Sequence, residues 1–157
     1  MPRYRRILSI VDASESSSDV VARTALLGKN LGATIALATI SENSAAADQS
    51  IQARFASIGK ATQRAEGLAA QAGLQNAEVL VSERDRNALA AVVASWSPDL
   101  LIVGSAAPGG LVGWLDVLRT LQGQGEAVDI LMVEPRKTGS RKSGLGRRLA
   151  AALSGLF

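Results

Sequence analysis

The chain has 157 residues, 47% hydrophobic and 20% charged, the make-up of one globular domain long enough to bury a core. It contains no histidine and no cysteine, which removes the commonest general base, the thiol nucleophile, disulfides and the usual zinc ligands. Its net charge of +3 is unevenly shared: Arg136, Lys137, Arg141, Lys142, Arg147 and Arg148 carry +6 with no acid among them, leaving −3 on residues 1–135.

Aromatic residues make up only 3% and are scattered, too few for a platform on which nucleic-acid bases could stack. No apolar run reaches the ~20 residues that span a bilayer, and the amino terminus shows no signal-like apolar region. The expectation is a cytoplasmic protein.

Arg5 to Val11 is apolar and β-branched and reads as a first strand, ending in Asp12-Ala13-Ser14. Ser14 to Ser18 and Asp19 offer helix N-caps, and Val20, Thr24, Leu27 and Leu31 follow at helical spacing, with Gly32 as a stop. Thr34 to Ile40 is a second strand, and the polar stretch Ser41 to Asp48 is a loop. Ile51, Phe55, Ile58, Thr62, Ala65, Ala69 and Ala72 then mark a long helix, with this seam expected to face the sheet; Gly73 ends it.

Ala77 to Ser82 is a third strand. Asp85 or Asn87 can cap a helix whose apolar face is Leu89, Val92, Val93 and Trp96, and Pro98 closes it. Leu100 to Val103 forms a fourth strand, buried on both faces by its composition. A glycine-bearing loop follows, with Gly109 and Gly110 either a nest for an anion or a plain turn. Leu111, Trp114, Leu115, Leu118 and Leu121 mark a fourth helix, and Val128 to Val133 a last strand. Five strands alternating with four helices make an α/β fold, an open parallel sheet with helices on both faces.

Two fragments, Ile7-Leu-Ser-Ile-Val-Asp-Ala-Ser14 and Pro98-Asp-Leu-Leu-Ile-Val-Gly-Ser105 with its Gly-Gly-Leu loop, resemble the universal stress protein domain in order and spacing. The likeness runs from about Tyr4 to Glu134, so the expected division is a domain over 1–135 and a basic tail over 136–157. The resemblance implies a Rossmann-like sheet of order 3-2-1-4-5, with ligands held where the first and fourth strands end. In nucleotide-binding members adenine and ribose sit by the positions filled here by Asp12, Ala13 and Ile40, and phosphates lie on the loop that holds Gly104, Ser105, Gly109 and Gly110. Such members would take ATP, with magnesium, or AMP.

This chain departs from the family's phosphate-loop pattern. Gly104 fills the first position, but the second glycine is Ala107, and Val117-Leu118 stand where Gly followed by Ser or Thr is expected. A glycine there admits phosphate close to backbone and a hydroxyl donates to its oxygen; Val117 and Leu118 do neither. No lysine or arginine lies between Arg86 and Arg119. Tight triphosphate binding in the family's manner is therefore expected to be lost, and no cofactor is required.

Each residue has a plainer reading. Asp12 can simply cap the turn that follows it. Trp114 lines a pocket or packs in core, and Glu83-Arg84-Asp85-Arg86 is a solvated charge run. No catalytic residues and no metal ligands are identified. The resemblance also implies a homodimer through the last strand, with Val128, Ile130, Leu131, Met132 and Val133 at the interface, although Asp129 is out of character there.

The tail places Leu149, Leu153, Leu156 and Phe157 on one helical face behind Arg147 and Arg148. It suits an anionic membrane surface, a protein partner, or packing on the chain's own body or on a sister subunit. The reading is a stress-response binding or regulatory module rather than an enzyme. Alternatives are an adenine-nucleotide binder or slow ATP hydrolase, and a membrane- or transporter-associated regulator acting through the tail. No reading motif supports sequence-specific nucleic-acid binding.

Overall fold

The computed structural model describes residues 4–13, 16–41, 50–104 and 128–134. In chain order these form β1 (Arg6–Val11), α1 (Ser16–Leu31), β2 (Thr34–Ile40), α2 (Ile51–Gln71), β3 (Glu78–Ser82), α3 (Arg86–Trp96), β4 (Leu100–Gly104) and β5 (Asp129–Val133). The five strands make one parallel sheet of order β3-β2-β1-β4-β5. The fourth helix expected around Leu111 to Leu121 and the tail lie outside the described residues.

Alternation along β1 divides the core. Ile7 meets Val20 and Leu27 of α1, and Val11 meets Val21 together with Ala65 and Ala69 of α2. Leu8 and Ile10 point the other way, to Leu89, Val93 and Trp96 of α3. The sheet is thus covered by α1 and α2 on one face and α3 on the other, as right-handed crossovers require. Ser9 breaks the apolar run of β1 without harm. Its buried hydroxyl is bonded to Thr24 Oγ1, which in turn donates to the Val20 carbonyl at 2.7 Å, so Ser9 is the donor of that pair.

Helix ends follow the sequence signals. Asp85, not Asn87, caps α3, accepting from Ala88 N at 3.1 Å, and Ser50 caps α2 in the same way. Gly32 and Gly73 close α1 and α2 with φ of 63° and 79°, where glycine carries no Cβ penalty. Ser97 closes α3 in the same left-handed region, at φ 54°.

One expectation is corrected. The seam of α2 does not run against the sheet for its whole length: Ala61, Ala65 and Ala69 are buried, while Ile51, Phe55 and Ile58 are 72%, 69% and 38% exposed. Its 21 residues span roughly 31 Å against roughly 23 Å for the seven of β2. Thr39 Oγ1 donates to the Ala61 carbonyl at 3.2 Å, which sets Ala61 over the end of β2. Everything before Ala61 therefore projects past the carboxyl edge of the sheet.

Candidate functional site

The order β2-β1-β4 brings three strand ends together at the carboxyl edge: Ile40 and Ser41 after β2, Asp12 and Ala13 after β1, and Gly104 at the end of β4. The chain reverses direction across the sheet between β1 and β4, which opens a crevice where α/β sheets take ligands. Of the residues that sequence reasoning placed in the site, Asp12, Ala13, Ile40 and Gly104 are brought to this edge. Ser105, Gly109 and Gly110 lie outside the described residues.

Asp12 is half-buried and tied to the start of α1 by Ser17. The Ser17 hydroxyl accepts from Asp12 N at 2.8 Å and lies 3.0 Å from both the Asp12 carbonyl and Asp12 Oδ1. A hydroxyl has one proton, so it is shared between those two acceptors. The link holds the first residue after β1 against the first turn of α1. The sequence marks Ser17 only as one of several possible caps, because a serine run gives no sign of which hydroxyl turns back to the strand.

Gly104 is where β4 passes closest to that same turn. A Cβ on it would run into the Ser16 hydroxyl and lie 3.0 Å from Ser16 Cβ and 3.4 Å from a methyl of Val20. Only hydrogen fits there. Gly104 thus has a packing reason that needs no phosphate.

Ile40 is buried in the core on the α3 side, with Leu89 and Val93 in the same cluster. Ser41, one residue further, begins what the sequence marks as a polar loop, and nothing in that composition signals its burial. Its amide donates to the Ser82 carbonyl at 2.9 Å, extending the β2–β3 ladder. The side chain is 1% exposed, and its Oγ has no hydrogen-bond partner among the described residues. By the alternation that turns Thr39 toward α2, Ser41 faces the same side.

β5 forms one edge of the sheet and pairs with β4. Val128 and Val133 are buried, and Ile130, Leu131 and Met132 are partly so, packed alternately against the two halves of the core. Asp129, out of character in an apolar strand, accepts a hydrogen bond from the Tyr4 hydroxyl at 2.7 Å. Of the charge run after β3, Asp85 serves as the α3 cap. Among the described residues no group of acidic side chains is arranged to hold a metal, and no helix is long and apolar enough to cross a membrane.

A five-stranded parallel sheet of order β3-β2-β1-β4-β5 with helices on both faces defines the Rossmann-like class of α/β proteins. Within it the sequence matches the universal stress protein family model over residues 3–117, and the chain belongs to that family. Similar solved structures share the fold. A universal stress protein in complex with cAMP is 21% identical, with 85% of this chain and 99% of that one covered and a TM-score of 0.58. The universal stress protein UspA of Lactobacillus plantarum is 15% identical, with coverage of 83% and 98% and a TM-score of 0.58. A family protein from Burkholderia pseudomallei is 17% identical, with coverage of 85% and 97% and a TM-score of 0.52. No curated protein matches the chain significantly.

Proposed function

We propose that the chain is a non-catalytic binding and regulatory module of the universal stress protein family, working as a homodimer through β5, whose site does not grip a triphosphate. The observation that carries this is the Ser17–Asp12 link. Asp12 has a structural role at the start of α1, which any ribose hydroxyl would have to compete with or build upon. The loop sequence supports the same reading: Ala107 and Val117-Leu118 replace the small and hydroxyl residues that would surround phosphates.

A second reading has its own support. The strand ends around Asp12 and Ile40 are in place, and one solved relative of the same fold carries cAMP, a nucleotide with a single phosphate. A site lacking triphosphate contacts but keeping this end suits an adenine mononucleotide such as AMP.

Isothermal titration with ATP and magnesium, then with AMP, separates the readings. The first expects no saturable heat from either nucleotide up to millimolar concentration. Saturable AMP binding that Asp12→Ala abolishes, with ATP weak, would move the assignment to the second. Micromolar ATP binding would overturn the loss of the triphosphate grip. The dimer is checked separately by light scattering, where the mass of two chains is expected and the mass of one would overturn that part of the reading.

A further inference from the structure

The first half of α2 has no role in the core, yet it carries three of the four large apolar side chains that are exposed among the described residues, the fourth being Leu26 of α1. Ile51, Phe55 and Ile58 recur at the four-three spacing of one helical stripe. They stand beyond the carboxyl edge of the sheet, because Ala61 already sits over Thr39 at its end. Together they expose on the order of 300 Å² of apolar surface, the size of the largest patch on a typical monomer, which is often functional.

Charge decides what can cover this stripe. Along α2 the charged residues are Arg54, Lys60 and Arg64 against Glu66 alone, and the projecting half holds two of the cations and no acid. A second copy would set the same cations against themselves, and the patch falls well short of the ~800 Å² per partner of a stable protein interface. The chain's own tail, from Arg136 onward, carries the same sign of charge. An anionic surface is attracted by both features.

We propose that the projecting half of α2, Ile51 to Lys60, docks on an anionic lipid bilayer. Ile51, Phe55 and Ile58 enter the boundary between headgroups and acyl chains, while Arg54 beside the stripe and Lys60 across the helix remain among the lipid phosphates and water. This is the arrangement of an interfacial helix, whose affinity combines buried apolar area with attraction to anionic lipid. The geometry sets the carboxyl edge of the sheet toward the membrane. β5 ends at that same edge, and the sequence that continues beyond Glu134 carries six cations and no acid, a composition that favours the same anionic surface.

The absence of cysteine permits a site-specific test on the full chain. Ile51→Cys carries a single nitrobenzoxadiazole label, and Lys29→Cys, in the last turn of α1 at the opposite edge, carries the same label as a control. Phosphatidylcholine vesicles are compared with vesicles that also contain phosphatidylglycerol. The label at position 51 is expected to brighten and shift to the blue on the anionic vesicles alone, with the response lost at high salt, and the label at position 29 is expected to stay unchanged.

In the unlabelled chain Phe55→Ser is expected to weaken co-sedimentation with anionic vesicles about tenfold. Its melting temperature should stay within about 3 °C, as befits an exposed position. Equal responses at both labels would mean general adsorption and overturn the proposal. No response to either vesicle would overturn it in favour of an acidic protein partner. A Phe55→Ser variant of lower molecular mass would make the stripe a contact between copies. One that melts far lower while still binding vesicles would place the stripe against its own chain.

Discussion

Tyr4 and Asp129 lie 125 residues apart in sequence and join at 2.7 Å, the phenol donating to Asp129 Oδ2. The bond ties the residues leading into β1 to the first residue of β5, two strands away across β4. A carboxylate on an edge strand is thereby fixed in place, and β5 is aligned in the sheet.

A hydrogen bond to a carboxylate in a half-buried setting contributes more than a neutral one. Tyr4→Phe is expected to cost about 1–2 kcal/mol in urea unfolding. Asp129→Asn keeps an acceptor oxygen and should cost less. If the Asp129→Ala variant loses as much with Phe at position 4 as with Tyr, the two residues act independently and the link contributes nothing.

At the amino edge of the sheet, Arg6 closes the end of α3. Its Nε and Nη2 both donate to the Trp96 carbonyl, at 3.1 and 2.7 Å, and its guanidinium lies 4.0 Å from the centroid of the indole. The indole itself donates to Glu78 Oε2 at 2.7 Å. Lysine can supply the charge but not the planar fork or the stacking. Arg6→Lys is expected to cost about 1–2 kcal/mol, the sum of a lost charge-assisted bond and a weakened cation–π contact. Tryptophan emission should change with it, because the ring loses its cationic cover. An unchanged spectrum and midpoint would show that the stack is not held in solution.

Gly104 and Ser16 make a third pair that can be tested. The end of β4 has no room for a methyl group beside the first residue of α1. Gly104→Ala is expected to destabilise by about 1–3 kcal/mol, the usual cost of overpacking. Ser16→Gly should return a good part of that loss in the double variant, since it removes the atoms in the way. Additive losses would place the strain elsewhere.

These pairs show what the sequence carried and what it could not. The described strands were legible, Thr34 to Ile40 at both ends and the other four to within one residue, because each is a short apolar run stopped by a turn residue. The family fragments then implied the order 3-2-1-4-5, and the sheet has it. Periodicity misled at α2, because it reports that Ile51, Phe55 and Ile58 share a stripe but not whether a sheet lies opposite. The helix is simply longer than the strand beneath it.

The oddity of Asp129 could not be resolved along the chain, since its partner is Tyr4, and Arg6 meets Trp96 across 90 residues. At the site, Asp12 and Gly104 stood out from their sequence context, but the reasons that the structure gives for them are Ser17 and Ser16. Both serines lay inside a polar run that points to a helix start without telling its members apart.

Ser41 gives the last prediction. Its hydroxyl is buried at the end of β2 with no hydrogen-bond partner among the described residues, while its amide holds the ladder to Ser82. Burying a hydroxyl without a partner carries a desolvation cost that a methyl group does not. Ser41→Ala keeps the amide and removes that cost, so it is expected to raise stability by about 0.5–1 kcal/mol in urea unfolding. A loss of more than about 1 kcal/mol would mean the opposite: in solution the hydroxyl is bonded, through a trapped water or a bound molecule. Native mass spectrometry of the purified protein then distinguishes the two, because a retained small molecule adds mass that Ser41→Ala should diminish, whereas a trapped water is lost on desolvation and adds none.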